Sequence, residues 1–445
     1  SERFESSISI LFFRLPEFIF FMIHNNILVI GYDDFNLKEL ETIETAEAFS
    51  FIPIFKSGIQ EQEEIDVEAL VKKAREEMEK DSREIHAIIS FFDFPFTLIA
   101  FMLCEEYGLT GPTLVQGLQC EHKYWSRLEQ QKAIPKHVPA FEAISPFDAP
   151  DFKDLQVNTP FWIKPVKGFS SQLGFKIENE KQYRKRIQTF QKEIDRLAEP
   201  FNYFLAHADL PEEVAQVDGR YCLAEESIFG HQCTISGYVY DHEVYSYGLI
   251  DSEHYEGTTS FFYYLLPSTL PKGVQQRMED ITRQVMKQIG FNNSPFNIEF
   301  FYDEAADRIC LLEINPRMSQ SHAEMYHQTH GHSNHQVLVK LALGKKPHFR
   351  QLEGKYNYAA KIQYRVFEDG VVSTVPDERA IQQIQKKYDD TIIKMNVEKG
   401  QQLSELPLQD SYSYALGEVM TGADSKEALL DKYDQIIDEL NIEIK

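Results

Sequence analysis

Over residues 26–115 this chain alternates between uninterrupted apolar runs and stretches with helical periodicity. Residues 26–40, NILVIGYDDFNLKEL, read as a buried strand, a turn and a helix. Residues 85–95, IHAIISFFDFP, repeat the pattern: an apolar strand, an aspartate at its end, then a helix opened by Pro95. Between them, 67–80 is amphipathic and charged, the pattern of a surface helix. Strand–helix–strand alternation of this kind predicts a parallel α/β layer over residues 26–115, and no GxGxxG dinucleotide fingerprint accompanies it. Further on, 121–141 reads as helix, proline-bounded turn and strand, and 160–177 as strand, small-residue loop and strand. In 348–445, YAAKIQYRVF and GVVSTV read as strands, followed by an acidic amphipathic helix over 425–440.

The most informative stretch is 295–322, PFNIEFFYDEAADRICLLEINPRMSQSH. Its runs 296–302 and 309–314 are rich in aromatic, β-branched and leucine residues and flank a polar turn, which predicts an antiparallel hairpin. Strand side chains alternate faces, so Glu313 and Asn315 share one face and Leu312 and Ile314 the other. A turn centred on Ala305 and Ala306 is expected to set Glu299 opposite Glu313 and Asn297 opposite Asn315, leaving Ile298, Phe300, Leu312 and Ile314 to a core; a one-residue slip would reverse the faces. Like charges directly across a hairpin repel and call for a cation between them. Two carboxylates and an amide are hard oxygen ligands, suited to Mg²⁺ bridging nucleotide phosphates rather than to zinc. Arg317, just past the strand, would face the anion that the metal holds.

Bulk properties narrow the partners. A length of 445 residues fits two or three domains, and 43% hydrophobic with 26% charged residues is ordinary globular composition. A net charge of −25 argues against nucleic acid, which needs a basic surface. The five cysteines show no CxxC pairing, the pattern of reduced, mostly buried thiols and a cytoplasmic location. The apolar run 8–30 is broken by Arg14, Pro16, Glu17, His24, Asn25 and Asn26, so neither a spanning helix nor a signal peptide is expected; one or two buried strands are. No internal repeat or low-complexity tract is present.

At NIEFF…LLEINPR the sequence resembles the metal-binding strands of the ATP-grasp superfamily, which includes biotin carboxylase, D-alanine–D-alanine ligase and many carboxylate–amine ligases. The resemblance is strong over 115–345 and looser on the flanks. It implies an α/β and α+β chain with the ATP-grasp fold: an N-terminal α/β domain (1–115), an ATP-grasp domain (116–345) with a mobile lid at about 160–228, and a C-terminal lobe (346–445). The segment EHKYWSRLEQQKAIPKHVPAF is similar to the one that opens many ATP-grasp domains, with Lys123 at the nucleotide-binding lysine. PFWIKPVKGFSSQLGFKI resembles the lid loop of D-alanine–D-alanine ligase, which implies that Lys164, Lys167, Ser170 and Ser171 hold phosphates. YCLAEESIFGHQCTISGYV resembles the adenine hinge: Glu225 near the adenine amino group, Ile228 bonding the base through its main chain, and Gln232 at the ribose where the family often has glutamate.

For His322, His327, His330, His332 and His335 a zinc site is the tempting interpretation, but the helix form of 331–347 that follows the metal strands in this superfamily favours structural roles. His322, with Ser319 and Arg317, is the exception and is expected at the substrate. The implied reaction uses ATP and two Mg²⁺ ions (Mn²⁺ can substitute) on Glu299, Glu313 and Asn315, with Lys164 and Arg317 as catalytic groups. It joins a small-molecule carboxylate to an amine, one of them an amino acid, through an acyl phosphate with release of ADP. A homodimer is compatible with the resemblance. A biotin-carboxylase-type enzyme, a thiol-ester-forming relative and a non-catalytic ATP-binding regulator are the rivals.

Overall fold

The computed structural model describes residues 24–58, 64–80, 84–168, 173–258, 260–406 and 413–445. The apolar run beginning at residue 8 is therefore described only from residue 24. Strands β1 (Asn25–Tyr32), β2 (Phe49–Lys56) and β3 (Ile85–Ile89) form a parallel sheet in the order β2-β1-β3, as the alternation predicts. Ile27, Leu28, Val29 and Ile30 are all fully buried, because helices cover both faces of such a sheet and a strand inside it needs apolar residues at successive positions. The helices Asp34–Thr42 and Val67–Glu79 start at Asp33 and Asp66, whose side chains accept backbone N–H groups of the first turn. Gly31 has φ +78°, and a Cβ there would lie 2.6 Å from the Phe96 ring, so only glycine lets helix Phe96–Glu106 sit against the end of β1.

A second sheet is built from β4 (Phe141–Ile144), β5 (Phe161–Pro165), β6 (Phe175–Ile177) and β7 (Cys222–Glu226), all antiparallel, in the order β4-β7-β5-β6. It has its own core, in which Phe161, Ile163 and Ile177 meet Ile187, Phe190 and Ile194. These are the strands expected as the lid. Ser170 and Ser171 lie outside the described residues.

The largest sheet has eight strands: β8 (His231–Tyr240), β9 (Glu243–His254), β10 (Phe261–Leu266), β11 (Ser294–Asp303), β12 (Arg308–Asn315), β13 (Tyr358–Val366), then, past the short β14 (Val372–Thr374), β15 (Ile392–Met395) and β16 (Tyr414–Ala423). Their order is β12-β11-β8-β9-β10-β13-β16-β15, and β14 pairs with β17 (Glu443–Ile444). One face packs on helix Lys272–Ile289, with Ile235, Ile298 and Phe300 in the same core as Met278, Ile281 and Val285. The other face carries the polar groups described below. Strands of the expected C-terminal lobe continue this sheet through β10–β13 pairing, and helix Lys426–Leu440 covers them with Leu429, Tyr433 and Ile436.

The predicted hairpin is β11–β12, and Glu299 faces Glu313 while Asn297 faces Asn315. It reaches that register by a route the sequence does not show. From the turn, Asp303 pairs with Arg308 and Phe300 with Leu311, a count that would set Glu299 against Leu312; a β-bulge after Phe300 inserts one residue and brings Glu313 opposite Glu299. The expected core position of Leu312 is thereby corrected: Leu311 is fully buried, and Leu312, the extra residue, is only half-buried. All five cysteines are buried and free, and among the described residues no helix is long and apolar enough to cross a membrane.

On the edge of β8, His231 lies directly across from Glu253 and diagonally from Asp251, with Nε2 3.0 Å from an Asp251 oxygen. Asp251 is fully buried and its other oxygen accepts from the N–H and hydroxyl of Thr269, both at 2.7 Å, tying β9 to the loop before helix Lys272–Ile289. Burial opposes charging of His231, but the hydrogen bond and charge of Asp251, with Glu253, raise its pKa above 6.5. A raised histidine pKa stabilises the fold below pH 6.5 and the contribution is lost as pH rises through the folded value. His231→Gln should therefore reduce the urea midpoint more at pH 6 than at pH 9; an equal loss at both would show that the imidazole is neutral in the fold.

Candidate active site

The bulge places two carboxylates side by side on the polar face of the hairpin. Burial and the neighbouring Glu313 charge push Glu299 up to about 8, while Gln232 Nε2 donates to it at 3.0 Å and Asn315 Nδ2 at 3.4 Å. Glu313 goes the other way: burial opposes its ionisation, but Lys123 and Lys164 hold it below the ordinary carboxylate value. Two adjoining half-buried acids, one of which ionises only with difficulty, form a donor set that a divalent cation completes. Glu299, Glu313 and Asn315 therefore fit Mg²⁺ by chemistry and by placement.

Cations line the opposite wall. Helix Lys123–Ala133 begins at Lys123, whose N–H bonds Val166 O at 2.8 Å and whose Nζ reaches Glu313 Oε2 at 3.2 Å. Lys164, on β5, is half-buried and ion-paired with the buried Glu225 on β7. Arg127, one turn beyond Lys123, organises this wall and was not anticipated. Its Nε and Nη2 bond Glu225 Oε2 at 3.1 and 2.9 Å, and its Nη1 and Nη2 bond the carbonyls of Leu311 and Leu312 at 2.9 and 2.8 Å. The guanidinium thus fastens the bulge itself, which leaves backbone carbonyls without ladder partners. Burial alone would raise Glu225, but Arg127 and Lys164 bring it down to about 2, so it is ionised and fully engaged.

A second ionic cluster closes the cleft from the N-terminal side. Asp93, at the C-terminal end of β3, accepts from Arg317 Nη2 at 2.8 Å and lies 3.4 Å from Lys167 Nζ. Lys167, 5% exposed, also pairs with the buried Glu121. Burial opposes ionisation of Asp93, yet Lys167 and Arg317 hold it well below the usual carboxylate range. The residue expected at phosphate is thus bound to two carboxylates, and Lys123 and Lys164 are the lysines that face the hairpin. Gln232, expected at ribose, turns to Glu299 instead. Ile228, between β7 and β8, makes no main-chain hydrogen bond among the described residues, which leaves its backbone groups open toward the hinge.

Ser319 and His322 sit in the loop after Arg317, both buried; Ser319 Oγ lies 3.1 Å from Ser321 Oγ. The other histidines take structural partners: His330 Nε2 lies 3.0 Å from Tyr247 O, His332 Nε2 accepts from Arg350 N, and His335 Nε2 is 2.9 Å from Asn36 Oδ1. His327 is exposed, and among the described residues no group of three or more His, Cys, Asp or Glu could hold a metal ion. Asp93, Glu121 and Arg127 are the site residues that sequence reasoning missed. Only Asp93 carried a signal, since open parallel sheets bind ligands beyond the carboxyl ends of their strands.

Comparison with known proteins agrees with this geometry. Residues 157–324 match the family described as ATP-grasp domain. The carbamoyl phosphate synthase large chain of Paenarthrobacter aurescens is 33% identical over 76 residues, 17% of this chain and only 7% of that relative's length. Among solved structures, the L-amino acid ligase of Bacillus licheniformis superposes with TM-score 0.72 at 16% identity, covering 95% of this chain and 99% of the other. A biotin carboxylase from Campylobacter jejuni gives 0.58 at 14% identity, covering 95% and 93%. The chain carries an ATP-grasp domain within an ATP-grasp fold.

Replacing Arg127 by methionine should lower stability by about 3 kcal/mol, because two bulge carbonyls and one face of a buried carboxylate lose their donors together. Urea unfolding of Arg127→Met measures this; a loss below about 1 kcal/mol would show that the bulge holds without the guanidinium.

Proposed function

We propose that this protein is an ATP-dependent carboxylate–amine ligase acting through an acyl phosphate. The observation that carries the proposal is the Glu299–Glu313 pair, opposed across the hairpin and faced by Lys123, Lys164 and Arg317. Glu299, Glu313 and Asn315 would hold Mg²⁺, which when bound supplies charge neutralisation at the nucleotide phosphates. Lys123 and Lys164 neutralise phosphate oxygens from the other wall. Arg317, fixed by Asp93, orients the substrate carboxylate. One carboxylate oxygen attacks the γ-phosphorus of ATP in line, ADP leaves, and an amine then displaces phosphate from the acyl carbon to give the amide. The small four-stranded sheet, as a lid, would keep water from the acyl phosphate. An amino acid is the proposed identity of one partner, in keeping with a likeness in fold to L-amino acid ligase that spans nearly all of both chains. A bicarbonate-activating reaction is the second reading, supported by the biotin carboxylase likeness.

With a cognate carboxylate, hydroxylamine should trap a hydroxamate and the nucleotide product should be ADP; AMP would overturn the mechanism, and ADP formed only with bicarbonate would select the second reading. Glu313→Gln should abolish turnover with the fold retained, read by circular dichroism and coupled ADP release. Lys164→Ala should weaken ATP binding by roughly tenfold or more in calorimetry, the loss of one charge-assisted contact. Unchanged affinity would remove Lys164 from the phosphate site.

A further inference from the structure

The polar face of the eight-stranded sheet does not stop at the hairpin. Gln232 pairs with Ser252, Ser252 with Tyr264, and Tyr264 with Lys361, so one row of side chains on a single face leads from the neighbour of Glu299 to a lysine of the C-terminal strands. His322 packs its ring on Tyr264, with centroids 5.3 Å apart. It is 4% exposed, and its Nδ1 has no hydrogen-bond partner among the described residues. Burial, helped by the charges of Lys361 and Arg317, lowers its pKa to about 3, so the imidazole is neutral with a cation on either side.

Both cations keep donors in reserve. Lys361 Nζ lies 3.1 Å from Glu418 Oε1, and Glu418 is itself fixed by Gln363 Nε2 at 2.8 Å. An ammonium has three donors, of which Glu418 takes one, and this side chain is 13% exposed. On the other side, Arg317 Nη2 bonds Asp93 while its buried Nε is unpartnered. Glu418 is thus held by Gln363 as well as by Lys361. What the row offers outward is an ammonium, a guanidinium N–H, a phenol and an imidazole, groups that together suit an anion and that are costly to leave unpaired when buried.

We propose that Lys361, Tyr264 and His322 form a second anion subsite, for a substrate carboxylate remote from the one that Arg317 orients, so that the substrate is an extended dianion. This rests on the ligase reading for the location of the reacting carboxylate at the hairpin. Four inter-strand steps separate β11 from β13. At about 4.8 Å each these steps span roughly 19 Å; a lysine reaching about 6 Å from one end and the groups that hold the reacting carboxylate reaching about 3 Å from the other leave the two charges roughly 10 Å apart, close to the span of an eight-carbon dicarboxylate.

The test is calorimetric titration of the full chain, with Mg²⁺ and ADP present, using suberate, octanoate and succinate as probes. Suberate should bind at least about tenfold more tightly than octanoate, its single-charge counterpart, and than succinate, which is too short. Lys361→Met should bring suberate down to the octanoate level and leave octanoate unchanged. If that variant loses its folded melting transition, Lys361→Met with Glu418→Gln removes the pair together and carries the same expectation. Equal affinity for suberate and octanoate, no binding of either, or an unaltered suberate affinity in the variant would overturn the subsite. Hydroxamate formation is read in parallel. Selective suberate binding with no hydroxamate from any carboxylate supports the subsite and removes the ligase reading. Equal hydroxamate yield from octanoate and suberate, without selective binding, keeps the ligase reading and removes the subsite.

Discussion

Glu299 and Glu313 face each other across a ladder, both half-buried, an arrangement that repels itself unless positive charge is supplied from outside the pair. The cleft is organised around supplying it. Lys123 comes from the start of a helix, Lys164 from the lid sheet and Arg317 from the loop beyond the hairpin, three segments with no other reason to converge. Two of the three are in turn held by a further acid, Lys164 by Glu225 and Arg317 by Asp93, so these cations are fixed rather than swinging. Networks of this kind contribute position more than stability, because desolvation offsets much of the attraction.

Much of this was legible in the sequence because strand alternation and apolar runs act locally. The parallel layer, the surface helix over 67–80, and the hairpin with its facing glutamates all follow from patterns within a few residues. The bulge was not legible: in CLLEIN either leucine serves equally well as a core residue, and only packing against helix Lys272–Ile289 selects Leu311. Arg127, Glu121 and the ionic partners of Lys167 were opaque for a different reason. A charged residue on a helix or beside a loop looks like a solvated one until its partner, 46 residues away for Glu121 and Lys167 and 98 for Arg127 and Glu225, is brought to it by the fold. Gln232 shows the same limit, since its chemistry suits a ribose or a carboxylate and only geometry chooses.

The four-stranded sheet is anchored by more than charge. Its helix Asp195–Leu205 sets Phe201 and Phe204 edge-on against Phe94, at 6.0 and 5.9 Å between centroids, next to the residue that binds Lys167 and Arg317. A dry aromatic contact and an ionic one therefore lie side by side at the seam between the N-terminal layer and the four-stranded sheet. Contacts of the first kind are indifferent to salt and those of the second, where exposed, are not.

The pairing of β10 with β13 bears on where this chain can be divided. Residues beyond 345 add three strands to the edge of a sheet whose other end carries the glutamate pair, and they cover Tyr263 and Leu265 with Ile362 and Val419. A chain ended at that point would present β10 as a bare edge with apolar side chains beside it, a template for joining another molecule edge to edge. The C-terminal hundred residues thus act as the selvage of the sheet, and a shortened relative of this protein would need another strand, its own or a neighbour's, to finish that edge.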